Sequence, residues 1–107
     1  MTEPRSQWIK EEAADLFGIS VIDLESRRRD RSVARPRQAV MWVARHLTRN
    51  SLPQIGRELG GRDHTTVIHG CRKIEKLLDQ GHQIEGKVRL LVALSRTRAI
   101  NEQEVQP

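Results

Sequence analysis

Two stretches with helical apolar spacing meet at a pair of adjacent glycines, and this junction restricts the possible folds more than any other feature of the chain. Residues 51–60 read SLPQIGRELG, and residues 61–80 continue GRDHTTVIHGCRKIEKLLDQ. In the first stretch Ser51 suits an N-cap, Pro53 fits a first helical turn, and Leu52, Ile55 and Leu59 share a short apolar face. Gly60 and Gly61 then interrupt the pattern. In the second stretch Asp63 suits an N-cap, and Val67, Cys71, Ile74 and Leu78 form a stripe running to about Asp79 or Gln80. A short helix, a glycine break and a longer helix make a helix-turn-helix over residues 51–80.

The remaining segments are also helical in period. Trp8, Ile9, Ala13, Leu16 and Phe17 fall on one helix face, which Gly18 closes. VIDLES, residues 21–26, supplies a turn or two of helix. Val40, Val43, Ala44 and Leu47 line another helix ending near Thr48, with Pro36 expected in its first turn and Trp42 off its apolar stripe. A last helix from about Ile84 carries Val88, Leu91, Val92 and Ser95 on one side. No alternating strand pattern of useful length occurs, so the expected fold is all-α, a compact bundle of five to six helices over residues 1–98. Residues 99–107, AINEQEVQP, show no sustained pattern and are expected to be a frayed tail.

Charge is concentrated rather than spread. Residues 27–37 read RRRDRSVARPR, with six Arg and one Asp, and carry +5. The whole chain also carries +5, so everything outside this segment balances. A localised basic stretch just before a helix-turn-helix is the footprint expected of a phosphate-binding or groove-entering arm, read here as a loop. A solvated linker with an arginine bias is the plainer alternative. No apolar run reaches the ~20 residues of a membrane span, and no signal-peptide segment follows Met1. With Cys71 as the single cysteine, neither an internal disulfide nor a cysteine zinc site is available. A cytoplasmic, nucleoid-associated protein is expected.

On a helical wheel the second helix of the motif separates cleanly. Thr65, His69, Arg72, Lys73 and Lys76 lie opposite the apolar stripe, with Arg62 and Thr66 near the helix start. The N-terminal residues of such a helix reach base edges in the major groove. Arg forks to guanine, Asp accepts from the cytosine amino group, and the Thr methyl packs on the thymine methyl. Asp63 has a second reading as a helix cap alone, and Thr65 and Thr66 as ordinary first-turn residues. His69 and Lys73 suit the DNA backbone, and Arg27, Arg28, Arg31 and Arg35 add phosphate attraction. His64 and His69 are five apart, not the i, i+4 pair of a helical metal site, so no metal is expected. Cys71 reads as packing. With no nucleophile–base pair, paired carboxylates or metal cluster, catalysis is not expected.

Three stretches carry a family resemblance. GGRDHTTVIHGCRKI (60–74), RSVARPRQ (31–38) and SLPQIG (51–56) resemble, in order and separation, the DNA-binding domain at the end of the bacterial replication initiator DnaA. The resemblance is dense over residues 21–78. It implies a six-helix domain of the Trp-repressor-like helix-turn-helix group, and recognition of a short A·T-rich duplex site, the DnaA box, through both grooves. Carried over by position, it implies Arg29 in the minor groove and Asp63, His64, Thr65 and Thr66 at major-groove bases. It also implies Arg37, Gln38, Arg45, Leu52 and Pro53 beside phosphates. Arg62 joins the expected base contacts, and Arg28, Arg31, His69 and Lys73 the expected backbone contacts.

The chain departs from that family in lacking a GxxxxGK[ST] phosphate loop, and its 107 residues leave no room for a nucleotide-binding α/β domain. Neither a nucleotide nor any other cofactor is therefore expected, and recognition is separated from ATP-driven assembly. The starting Met points to an independent short protein rather than an excised piece. Such a reader would compete with the host's replication initiator for sites, or regulate a promoter. An adaptor whose basic loop binds an acidic partner, using Trp42 and the final helix, is the competing reading.

Overall fold

The computed structural model describes residues 2–105, with side-chain surroundings for residues 2–102. Six helices follow one another: α1 (Ser6–Phe17), α2 (Val21–Glu25), α3 (Arg31–Leu47), α4 (Leu52–Glu58), α5 (His64–Asp79) and α6 (Ile84–Val105). Among the described residues there is no strand. The all-α helix-turn-helix bundle expected from the sequence is the one observed.

The ends of these helices follow from local chemistry. Gly18 adopts φ 70° and ends α1 by donating to the Ala14 carbonyl. Ser20 and Asp23 form a reciprocal capping box at α2, which explains how five residues hold a helix between two turns. Ser51 accepts from the Gln54 amide at 3.2 Å to start α4, and Asp63 accepts from the Thr66 amide at 2.9 Å to start α5.

Three boundary expectations need correction. The arginine segment is not one loop: only the stretch between Glu25 and Arg31 lies outside a helix, and residues 31–37 open α3. Pro36 accordingly stands inside α3 rather than in its first turn, where it lacks the N–H that would have bonded the Ser32 carbonyl. The expected frayed tail is helical as far as Val105, and Ala99 is buried. A small residue spaced four from Ser95 and eight from Leu91 continues the α6 contact stripe, so tertiary packing extends a helix that local propensity leaves open. Residues 106–107 lie outside the described residues.

Helix α3 is the hub, touching every other helix. Its buried Val40, Met41 and Val43 pack into a core shared with Ile9, Leu24, Ile55, Val67, Ile74 and Leu91. On α5 the innermost residue of the last turn is Leu77, while Leu78 is only partly buried. Gly70 lets α3 and α5 approach: a Cβ there would stand 2.5 Å from the Met41 sulfur. Trp42 packs at the edge of the core and stacks on His46, with ring centroids 4.0 Å apart.

One buried charge escaped the sequence reading. Lys10 is 6% exposed and bonds the Glu25 carboxylate at 2.6 Å and the Glu58 carbonyl at 2.9 Å, tying α1 to α2 and α4. Its position on the stripe with Ile9, Ala13 and Ala14 was the available signal. Breaking a fully buried pair costs roughly 3–5 kcal/mol. Because Glu25 remains partly exposed and can regain water, Lys10→Met should cost less, about 1–2 kcal/mol. A thermal melt checks this, and an unchanged midpoint would show that the pair contributes nothing.

Candidate nucleic-acid interface

The turn between α4 and α5 is built around close backbone approach. The Arg62 amide donates to the Gly56 carbonyl at 2.8 Å. A Cβ on Gly56 would lie 1.9 Å from the Arg62 carbonyl oxygen, so no side chain fits. Gly60 has φ 82°, and a Cβ there would meet the Glu25 carbonyl oxygen at 2.1 Å. These contacts bring the helix-turn-helix against the end of α2, and hence against the basic segment 27–30.

Two arginines fasten that segment. Arg37 is 5% exposed. Its Nε donates to the Leu24 carbonyl at 2.8 Å, one terminal nitrogen to the Arg28 carbonyl at 2.9 Å, and the other to the Asp23 and Ser26 carbonyls at 3.2 and 3.1 Å. Burial, with Arg62 as second cause, lowers its pKa to about 10, so the guanidinium is charged at neutral pH and fixes a segment rich in free carbonyls. Arg62 donates to the Leu59 and Ser26 carbonyls, both at 2.5 Å, joining the helix-turn-helix turn to the same segment. Burial first, and Arg29 second, push its pKa down as well.

Arg37 was expected beside a phosphate and Arg62 at a base; in this conformation both guanidiniums are directed at backbone carbonyls and act as clamps, while both residues also line the groove between the basic segment, α3 and α5. The sequence could not reveal this, since a buried arginine and a phosphate-facing one look alike before the carbonyls around them are placed.

The other expected contacts are accessible. At the start of α5, Asp63, His64, Thr65 and Thr66 are all exposed, as are His69 and Lys73 further along. Asp63 caps the helix through Oδ1, and the Thr66 backbone amide is the main cause that holds its carboxyl below the usual range. Capping occupies one oxygen, so the two readings of Asp63 do not exclude one another. Arg29, Gln38, Thr66, His69 and Lys73 line a single open groove of about 740 Å³ between the basic segment, α3 and α5. Gln38 is half-buried and its Oε1 has no partner. Arg31, Arg45 and Pro53 are exposed and Leu52 is half-buried. Arg28 is exposed but engaged by Asp30 through a two-point contact at 3.0 and 2.9 Å. Cys71 is buried within α5, and burial raises its thiol pKa, consistent with packing. Among the described residues no helix is long and apolar enough to cross a membrane.

A six-helix bundle that presents an exposed polar helix start beside a clamped arginine arm defines the chain as a helix-turn-helix domain of the DNA-binding class. Residues 7–74 match the family described as the bacterial dnaA protein helix-turn-helix, and the chain belongs to that family. It is also similar to a solved structure titled as that of a DNA replication initiation factor, with 26% identity and a TM-score of 0.77. That similarity covers 88% of this chain but 29% of the other, so the chain spans under a third of its length.

Proposed function

We propose that this domain binds duplex DNA sequence-specifically at A·T-rich sites of the DnaA-box kind, reading both grooves. The observation that carries the reading is the joint exposure of Arg29 and Thr66 on one groove, with Asp63, His64 and Thr65 exposed at the same helix start. Residues 63–66 read base edges in the major groove. Arg29 enters a narrow A·T-rich minor groove, whose enhanced negative potential attracts a guanidinium. Arg28, Arg31, Gln38, Arg45, Leu52, Pro53, His69 and Lys73 border the backbone, while Arg37 and Arg62 hold the reading elements in register. Occupancy of a box by this domain excludes any other reader, which makes the host's replication initiator a competitor for the site. The same act at a promoter would regulate transcription. No nucleotide enters this function.

An anisotropy titration with a box and a scrambled duplex at moderate salt tests it. The box should bind on the order of 100-fold more tightly or better. Equal affinities would sink the claim, since the phosphate term ignores sequence. Thr65→Ala should relax discrimination in the major groove by about 1–3 kcal/mol, and Arg29→Ala should weaken preference at the minor-groove A·T positions. Unchanged site preference in both variants would remove these roles.

The adaptor reading has one supporting observation, the exposure of Leu90 and Ile100 on α6. Association with an acidic protein and no DNA binding would favour it.

A further inference from the structure

Among the described residues the buried and half-buried cations are almost all neutralised from within. Lys10 has Glu25, Arg98 has Glu11 at 2.8 Å, and Arg37 and Arg62 have backbone carbonyls. Arg35 is the exception. One of its terminal nitrogens is buried with no hydrogen-bond partner. Burial and the neighbouring Arg31 charge both act against its ionised form, and no carboxylate acts in its favour.

Arg35 lines a cavity of about 650 Å³ together with Arg31, Ser32, His82, Gln83 and Lys87. No Asp or Glu lines it. The nearest carboxylate on α3 is the N-cap Asp30, which bonds the Ser32 hydroxyl but is already held at two points by Arg28. Phe17, Pro36 and Ile84 form the apolar part of the wall, and the Lys87 ammonium sits 5.0 Å from the Phe17 ring centre. The Arg31 and Arg35 charges, one turn apart on α3, repel one another beside this wall.

The cavity is separate from the candidate DNA groove. On α3, Ala34, Arg37, Gln38 and Met41 line the groove, whereas Arg31, Ser32, Arg35 and Pro36 line the cavity. At about 100° per residue these sets occupy neighbouring but different faces. The two concavities share no lining residue.

We infer that this cavity is an oxyanion site for a phosphoryl group. Arg31 and Arg35 stand one turn apart on α3 and Lys87 lies on α6, so cationic donors from two helices line the cavity with no carboxylate among them. That arrangement suits the oxygens of a tetrahedral phosphate, whereas a planar carboxylate is satisfied by a single guanidinium fork. A phosphate would give an anionic partner to a guanidinium that has none and offset the Arg31–Arg35 repulsion, and reaching the buried nitrogen requires the Arg35 side chain to turn toward the cavity. Two sources carry this chemistry: a free phosphorylated small molecule, and a backbone phosphate of a bound duplex that reaches past Arg31.

The test is an NMR titration of the full isotope-labelled chain with inorganic phosphate and with pyrophosphate, each against sodium chloride at matched ionic strength. Saturable shifts at the Arg35 and Lys87 side-chain resonances are expected, with affinity falling at least tenfold in Arg35→Gln and in Lys87→Gln. Shifts that chloride reproduces, or that persist in both variants, would overturn the assignment. Lys87 is exposed, so its variant keeps the test valid if Arg35→Gln fails to fold. The duplex titration then separates the sources. Lys87→Gln should leave DNA affinity within twofold if the ligand is a free phosphate compound. A salt dependence reduced by about one unit of slope would instead assign the phosphoryl group to DNA. Either result stands apart from the base-reading function, which Thr65→Ala and Arg29→Ala test.

Discussion

Gly56→Ala should cost about 3–4 kcal/mol of folding stability, an effect far outside the ordinary range for adding one methyl group to a helix. In an unconstrained helix interior, alanine is favoured over glycine by up to ~1 kcal/mol. Here the added carbon would stand 1.9 Å from the Arg62 carbonyl oxygen and 2.9 Å from its carbonyl carbon. Both are backbone atoms, so no rotamer change removes the clash. The turn must move away, and the 2.8 Å bond from the Arg62 amide to the Gly56 carbonyl lengthens or breaks. Overpacking usually costs ~1–3 kcal/mol, and a lost hydrogen bond adds ~1 kcal/mol. At roughly 4–8 °C per kcal/mol for a domain of this size, the midpoint should fall by roughly 12 °C or more. Gly86→Ala is the internal control, since Gly86 lies within α6 and a Cβ there meets nothing within 4 Å. It should be neutral or slightly stabilising. A Gly56→Ala midpoint within 3 °C of the parent, the approximate equivalent of half a kcal/mol, would mean that the turn has room the structure does not show.

Particular residues show what the sequence disclosed and what it withheld. The short helix, glycine break and long helix were legible because Ser51, Asp63, Gly60 and Gly61 act locally, through caps and positive φ. The exposed start of α5 was legible because the wheel that buries Val67, Cys71 and Ile74 leaves Thr65 and His69 outside. The start of α3 was not. Pro36 suggested a first turn, but Asp30 starts the helix six residues earlier, and Val33 is fully buried. Proline inside a helix is disfavoured locally, and the core contacts of α3 override that preference. Nor was the division of labour among the arginines legible. Arg29 is exposed, Arg35 half-buried and Arg37 buried within nine residues of one basic run. Charge counting cannot tell them apart, because their tasks depend on which carbonyls the fold brings near.

Arg37→Met should uncouple the basic segment from the rest of the domain, and it distinguishes a clamp from a phosphate contact. Four carbonyls, of Leu24, Asp23, Ser26 and Arg28, lose their charged donor together. Charge-assisted bonds contribute ~1.5–3 kcal/mol each when buried. These carbonyls lie in a surface segment and can regain water, so a total loss of about 2–4 kcal/mol is expected. DNA binding should weaken at least tenfold, because Arg29 then has to be ordered at the moment of binding. A direct phosphate contact and a clamp differ in their salt dependence. Removing a contact lowers the slope of log affinity against log salt by about 0.9, whereas removing a clamp leaves the number of contacted phosphates unchanged. The slope of Arg37→Met should therefore match the parent while affinity falls. A second measurement follows from Arg62, which ties Ser26 to the turn before α5. One base pair inserted between the minor-groove and major-groove subsites displaces them by about 3.4 Å and rotates them by roughly 35°. The parent protein, with both arginines in place, should lose more than tenfold in affinity on such a duplex. Arg37→Met and Arg62→Met should lose markedly less relative to their own binding of the uninterrupted site, because a released arm can follow the shifted groove. An equal insertion penalty in parent and variants, or a salt slope reduced by about one unit in Arg37→Met, would return Arg37 to the phosphate-contacting role that the family resemblance implied.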